Sequence, residues 1–218
     1  MKPKIGILGG IGPESSALFY KQLIQLVQSK NIKSNTEYPH IILESIPAPE
    51  LLLKNPDLSM YKDALKNLEK AGANFIVMVC NTAYVFIDQF ENVVDIPILD
   101  LNEETKKILD KNNLKKITIF GSKKTVDKLF HFNNIEIESI SEADSEIIDK
   151  IILNYNTGKN KKELEQQLIS LIKKYPQKNV LIACTELSTI LKNAGLKYLD
   201  TFDILLDATF KKWKTLKP

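Results

Sequence analysis

The chain has 218 residues and a mass of 24.8 kDa, and 44% of its residues are apolar, enough to fill one large core or two small ones and too many for a disordered chain. Its 30 basic and 27 acidic residues are spread along the whole length and leave a net charge of only +3, which gives nucleic acid no basic face to bind. No apolar run approaches the roughly eighteen residues of a membrane span and no charged leader precedes an apolar segment, so the expectation is a cytoplasmic protein with neither membrane nor nucleic-acid partners.

Residues 4–8 read as a first strand, followed by the turn Gly9-Gly10-Ile11-Gly12 and a helix from Pro13 to about Gln28, with proline at the first helical position and Glu14 near the positive end of the dipole. The glycines resemble a dinucleotide loop, but the third glycine is missing and no acidic residue stands at the required distance, so a tight turn bordering a crevice is the better reading. A second strand is expected over 40–45, ending at Ser45. A loop through Pro47, Pro49 and Glu50 then leads to a helix over 59–71 that Gly72 closes. Strand 74–79 ends at Cys80, a short helix follows, and 96–100 makes a brief strand. This alternation of strands and helices means a parallel sheet of βαβ units.

The pattern then restarts. A helix over 102–111 leads to a strand over 116–120, a turn at Gly121-Ser122 and a helix to about Phe130. A strand over 135–140, helices over 142–156 and 161–174, and a strand over 179–183 that delivers Cys184 come next. A short strand over 198–200 and a helix over 202–216 complete the series. The first glycine turn and its counterpart are 112 residues apart, from Gly9 to Gly121, and the cysteines are 104 apart, so corresponding elements keep nearly the same spacing. The expectation is an internal duplication: an α/β protein of two similar α/β domains with mainly parallel sheets, related by pseudo-two-fold symmetry. The N-terminal domain is 1–100 plus 206–218, the C-terminal domain is 101–205, and an active site lies at their interface.

Cys80 and Cys184 are the only two cysteines, too few for a disulfide scaffold. Each stands at the carboxyl end of a buried parallel strand, where ligands of open α/β sheets bind. Neither histidine, His40 or His131, lies in a cysteine motif, so no metal site is expected. A lone cysteine in such a place is ordinarily a small buried hydrophobe; two at equivalent points of a repeat, each followed at once by polar residues, point to chemistry. One thiol and one thiolate on opposite sides of a carbon can remove its proton from one face and return it from the other, a task the intrinsic thiol pKa of about 8.5 suits if neighbours lower it. Asn81, Thr82, Thr185 and the turn amides at Gly10 and Ile11 are the expected donors, and Glu186 is expected either to manage a proton or to hold a substrate ammonium.

With Gly9-Gly10-Ile11-Gly12-Pro13, Cys80-Asn81-Thr82-Ala83, Cys184-Thr185-Glu186 and Asp200-Thr201 in that order across nearly the whole length, the chain resembles the aspartate/glutamate racemase family. Glu186 in place of a histidine is closer to the aspartate racemase branch. The resemblance implies a cofactor-independent amino-acid racemase with catalytic Cys80 and Cys184, a substrate site including Gly10, Ile11, Ser45, Glu50, Asn81, Thr82, Thr185 and Glu186, and a homodimer. Related scaffolds offer hydantoin racemase, maleate isomerase, decarboxylase or a metabolite binder without turnover as alternatives; decarboxylase relatives tend to need only one thiol.

The departures concern the substrate. The family usually has histidine where Tyr84 and Leu205 stand, and aspartate racemases carry a Pro-Asp-Arg segment where Pro49, Glu50 and Leu51 stand. A lysine ligand falls near Asn156, with Lys159 as a possible replacement. A buried carboxylate without a paired cation costs several kcal/mol. The sequence therefore predicts weak discrimination in favour of acidic substrates, or a preference for neutral or basic ones.

Overall fold

The computed structural model describes residues 3–175 and 179–216. Its first half holds β1 (Lys4–Gly9), α1 (Pro13–Gln28), β2 (His40–Ser45), α2 (Ser59–Lys70), β3 (Phe75–Met78), α3 (Ile87–Glu91) and α4 (Leu101–Lys111). The second half holds β4 (Lys116–Phe120), α5 (Lys123–Leu129), β5 (Glu136–Glu138), α6 (Glu142–Asn156), α7 (Lys161–Ile172), β6 (Val180–Ile182), α8 (Thr185–Leu191), β7 (Leu199–Asp200) and α9 (Thr201–Thr215). Short 3-10 turns occupy Asn35–Glu37 and Asn81–Phe86. Among the described residues no helix is long and apolar enough to cross a membrane.

The strands form two sheets, ordered β2-β1-β3 and β5-β4-β6-β7, with every pairing parallel. In each the first strand of the half is central, the second lies on one side and the cysteine-bearing strand on the other, so the two halves repeat one plan. The expected strand over 96–100 reduces to a single parallel bridge, Ile76 with Ile98, since only the Pro97 carbonyl and the Leu99 amide bond to Ile76. It occupies the place that β7 takes in the second sheet.

Helices cover both faces of each sheet, so the central strands carry apolar residues on both sides. Ile5, Ile7 and Leu8 of β1 are fully buried. In β4, alternation divides the residues between two cores: Ile117 and Ile119 join the larger, which spans both halves, whereas Phe120 joins the smaller with Ile148, Leu168, Ile182 and Leu187. The last helix, α9, packs on α1 and α4, and Phe202 meets Phe19 edge to face at 5.5 Å. The C-terminal helix thus joins α1 of the expected N-terminal domain to α4, which opens the expected C-terminal one, and it runs unbroken through residue 206, where the expected domain boundary falls. That division remains a proposal, and its residues 1, 2, 176–178, 217 and 218 lie outside the described ones.

Two differences from the sequence reading have physical causes. Helix α8 directly after Cys184 was not expected; all seven of its residues are buried, so it shows none of the one-sided periodicity that marks a helix. Strand β5 is three residues rather than six, because only Ile137 and its two glutamate neighbours pair with β4.

Candidate active site

Both cysteines sit in the same local geometry. Cys80 has φ −164° and ψ 119°, Cys184 has φ −159° and ψ 128°, and each is the extended residue that precedes a helical turn. Each apolar strand thus ends with its thiol at the mouth of the sheet.

The halves meet reciprocally around these thiols. From the first half, Ser15 at the start of α1 shares a 3.2 Å hydrogen bond with Thr189 of α8. From the second, Thr125 at the start of α5 shares one of 2.9 Å with Thr82, beside Cys80. Ser122 completes that hydroxyl group, 2.7 Å from Thr125.

Cys80 and Cys184 line one cavity of about 240 Å³. The glycine turn closes one side, and only glycine fits there: at Gly10, φ is +84° and a Cβ would meet the Ile46 carbonyl oxygen at 2.3 Å, while at Gly12, φ is +86° and a Cβ would meet Glu186 Oε1 at 2.0 Å. Residues 48–52 form a second wall, and Ile152, Leu153 and Asn156 of α6 a third.

Glu186 is 5% exposed and forms a buried cluster with the second thiol. Cys184 Sγ donates to its Oε2 at 3.1 Å and Thr185 Oγ1 donates to the same oxygen at 3.0 Å. Burial raises the Glu186 pKa against these bonds. Burial also pushes the Cys80 thiol up to about 12, with the Glu186 charge adding to the rise; the amides of Ala83 and Thr82 and the Thr82 hydroxyl pull it back in part. Cys184 is raised well above the ordinary thiol value, first by burial and then by Glu186. The expectation that neighbours lower the thiols is therefore reversed in the free protein: desolvation outweighs the donors.

Of the residues expected from the sequence, Cys80, Cys184, Gly10, Ile11, Glu50, Thr82 and Glu186 line the cavity. Ser45, Asn81 and Thr185 do not. Ser45 is exposed at the end of the outer strand β2. Asn81 turns away, and its Nδ2 donates to Thr201 Oγ1 at 2.7 Å. Thr185 is buried and spends its hydroxyl on Glu186.

Sequence reasoning passed over Ser122, Ile152 and Leu153. The repeat held the signal for Ser122, which follows the glycine equivalent to Gly9 in the second half. Nothing in an apolar helix face marks Ile152 or Leu153 in advance. At the two positions where the resemblance expects histidine, Tyr84 and Leu205 are buried, and the Tyr84 hydroxyl accepts from the Met78 amide at 3.1 Å. Asn156 lines the cavity, but Lys159, exposed beyond the end of α6, does not.

A protein of two repeated parallel α/β halves with paired thiols on one cavity matches one family model: residues 8–209 fit Asp/Glu/Hydantoin racemase, and the chain belongs to that family. The broad specificity amino-acid racemase RacX of Bacillus subtilis is 30% identical over 200 residues, covering 86% of this chain and 87% of RacX. Among solved structures, PH1733 of Pyrococcus horikoshii, described as an aspartate racemase homologue, superposes with a TM-score of 0.76 at 26% identity, covering 98% of this chain and 100% of that one. The Picrophilus torridus aspartate racemase shares the fold, with a TM-score of 0.80, 22% identity and coverage of 97% and 94%.

Proposed function

We propose that the protein racemises an amino acid without a cofactor, with Cys80 and Cys184 as the paired acid and base. The observation that carries this reading is that two thiols, at equivalent backbone positions of duplicated halves, open on one cavity. Family membership places the chain among the isomerases of the racemase type. At about 240 Å³ the cavity lies below the roughly 300–1,000 Å³ of sites for drug-sized ligands and suits a molecule of amino-acid size.

In this mechanism the thiolate of one cysteine takes the α-proton from its side, and the thiol of the other gives a proton to the opposite face. The reaction ends with thiol and thiolate exchanged. Thr82, Ser122 and the backbone at the glycine turn are the donors for the substrate carboxylate and for the charge that builds up in the carbanion. An arriving ammonium brings a positive charge into the desolvated site, which favours the thiolate that burial otherwise opposes. Glu186, bonded to the Cys184 sulfur, either exchanges a proton with it or holds that ammonium.

Among the described residues no lysine lines the cavity, and the acidic side chains there, apart from the thiols, are Glu50 and Glu186. A second substrate carboxylate would enter with no cationic partner and beside two acidic side chains, at a cost of several kcal/mol. Neutral or basic amino acids are therefore the proposed substrates, ahead of aspartate. The test is α-proton exchange in deuterated solvent across the common amino acids. Exchange is expected in the parent and is abolished in both Cys80→Ala and Cys184→Ala. A parent without exchange on any amino acid would make the protein a binder, and aspartate exchanging far faster than the rest would overturn the substrate assignment.

The homodimer implied by the family resemblance is part of this proposal. Its proposed surface is the outer edge of β2, where Ile41 and Tyr20 line a groove and Leu43 is 43% exposed. The equivalent strand β5 is only Glu-Ile-Glu, with both glutamates paired to Lys116, the kind of charge that blunts an edge. Light scattering at micromolar concentration decides between monomer and dimer.

A further inference from the structure

The two halves differ most in one connection. Thirteen residues, 46–58, join β2 to α2, whereas three, 139–141, make the equivalent link from β5 to α6. Long loops without secondary structure inside compact domains are commonly functional. This one supplies a wall of the cavity, Ala48 to Leu52, including Glu50.

The loop belongs to the first half, but a side chain of the second half holds its middle. Lys124, in the first turn of α5, reaches across so that its Nζ donates to the Leu51 carbonyl at 2.8 Å and to the Leu53 carbonyl at 2.6 Å. The same ammonium lies 4.9 Å from the centre of the Phe86 ring, which ends the helical turn that follows Cys80. The Tyr61 hydroxyl donates to the Pro49 carbonyl at the loop's base, but Tyr61 lies in α2 of the same half, whereas Lys124 holds the loop from the other half. Burial lowers the Lys124 pKa somewhat while the nearby Glu50 charge raises it, which places the ammonium in a partly desolvated setting where bonds to carbonyls count for more.

We propose that Lys124 is a positioning residue that latches loop 46–58 across the junction of the halves and so holds the Ala48 to Leu52 wall, with Glu50, over the two thiols. It touches neither the cavity nor a reacting atom. Its effect is on substrate retention, through the loop, and this role rests on the racemase reading only for its kinetic part.

Two measurements test it on the full-length protein. Lys54 is exposed in the loop, so native-state trypsin digestion with mass analysis of fragment 1–54 reports loop opening without reference to activity. In Lys124→Met, cleavage after Lys54 should rise about tenfold, the scale of losing hydrogen bonds from a charged donor. KM for the amino acid that exchanges fastest should rise by about the same factor, with kcat within about twofold of the parent. Lys124→Arg, which can reach both carbonyls, should restore both, and Lys124→Gln serves if the methionine variant does not fold. Unchanged cleavage overturns the latch. Faster cleavage with unchanged KM, or a higher KM with unchanged cleavage, overturns the positioning role. A parent without racemase activity would refute the function while the digestion still decides the latch.

Discussion

Replacing Glu186 by glutamine removes a negative charge whose oxygen lies 3.1 Å from the Cys184 sulfur. At an effective dielectric constant of about 20, a carboxylate and a thiolate at that separation repel by about 5 kcal/mol. The repulsion is not expressed in full, because burial already raises the Glu186 pKa and the carboxyl can take up a proton as the thiolate forms. Glutamine also removes an acceptor that favours the thiol and can offer an N–H donor to the thiolate. The midpoint of Cys184 alkylation should therefore fall by about one to two pH units, allowing for the shared proton. Cys80, which feels the Glu186 charge without a hydrogen bond to it, should fall by less. The assay is alkylation of the free protein by iodoacetamide over a range of pH, quantified separately at each cysteine by mass spectrometry. A Cys184 midpoint that stays in place or rises in Glu186→Gln would refute the electrostatic account of this site.

Two further substitutions probe what holds the site. Gly12→Ala puts a Cβ where Glu186 Oε1 now lies and forces alanine into the left-handed region, so urea unfolding should show a loss of about 1–3 kcal/mol. Cys184 alkylation should shift towards that of Glu186→Gln as the carboxylate is pushed aside. Asp200 is buried and its pKa is raised to about 7 by desolvation, despite hydrogen bonds from Ser188 and from the Phe202 amide. The folded state thus holds a proton that the unfolded chain has lost, so the contribution of Asp200 to stability is highest below about pH 4, falls as pH rises towards 7 and levels off above it. That part of the fall is about 4 kcal/mol at most, and in urea unfolding between pH 4 and 8 Asp200→Asn, which keeps an acceptor for both bonds, should lose less stability with rising pH than the parent does.

Much of this arrangement is legible along the chain. Strands β1, β2, β4 and β6 and helices α1, α2, α6 and α9 stand within a residue or two of where periodicity and turn chemistry place them, because each carries a local signal: an apolar run, a proline at a helix start, a glycine at a helix end. The repeat makes the cysteines conspicuous, and the resemblance, carried by short motifs across the length, fixes the family. Helix α8 left no trace because it is buried on every side, so nothing in its composition distinguishes inside from outside. Asn81 and Thr185 look like site residues from their neighbours in sequence, but each side chain turns to a buried partner contributed by the fold, Thr201 in one case and the Glu186 carboxylate in the other.

The amino-acid sequence alone determined that there are two α/β halves, that each ends a strand in a thiol, and that no arginine exists to bind a second carboxylate. These follow from residue type and spacing, which act locally. Only the tertiary structure decided that both thiols face one cavity, that Glu186 sits on one of them, that burial raises rather than lowers their pKa, and that Lys124 crosses from one half to hold the loop of the other. Desolvation and long-range contact depend on what surrounds a group in space, and residues 73 positions apart, such as Leu51 and Lys124, carry no mark of each other in the sequence.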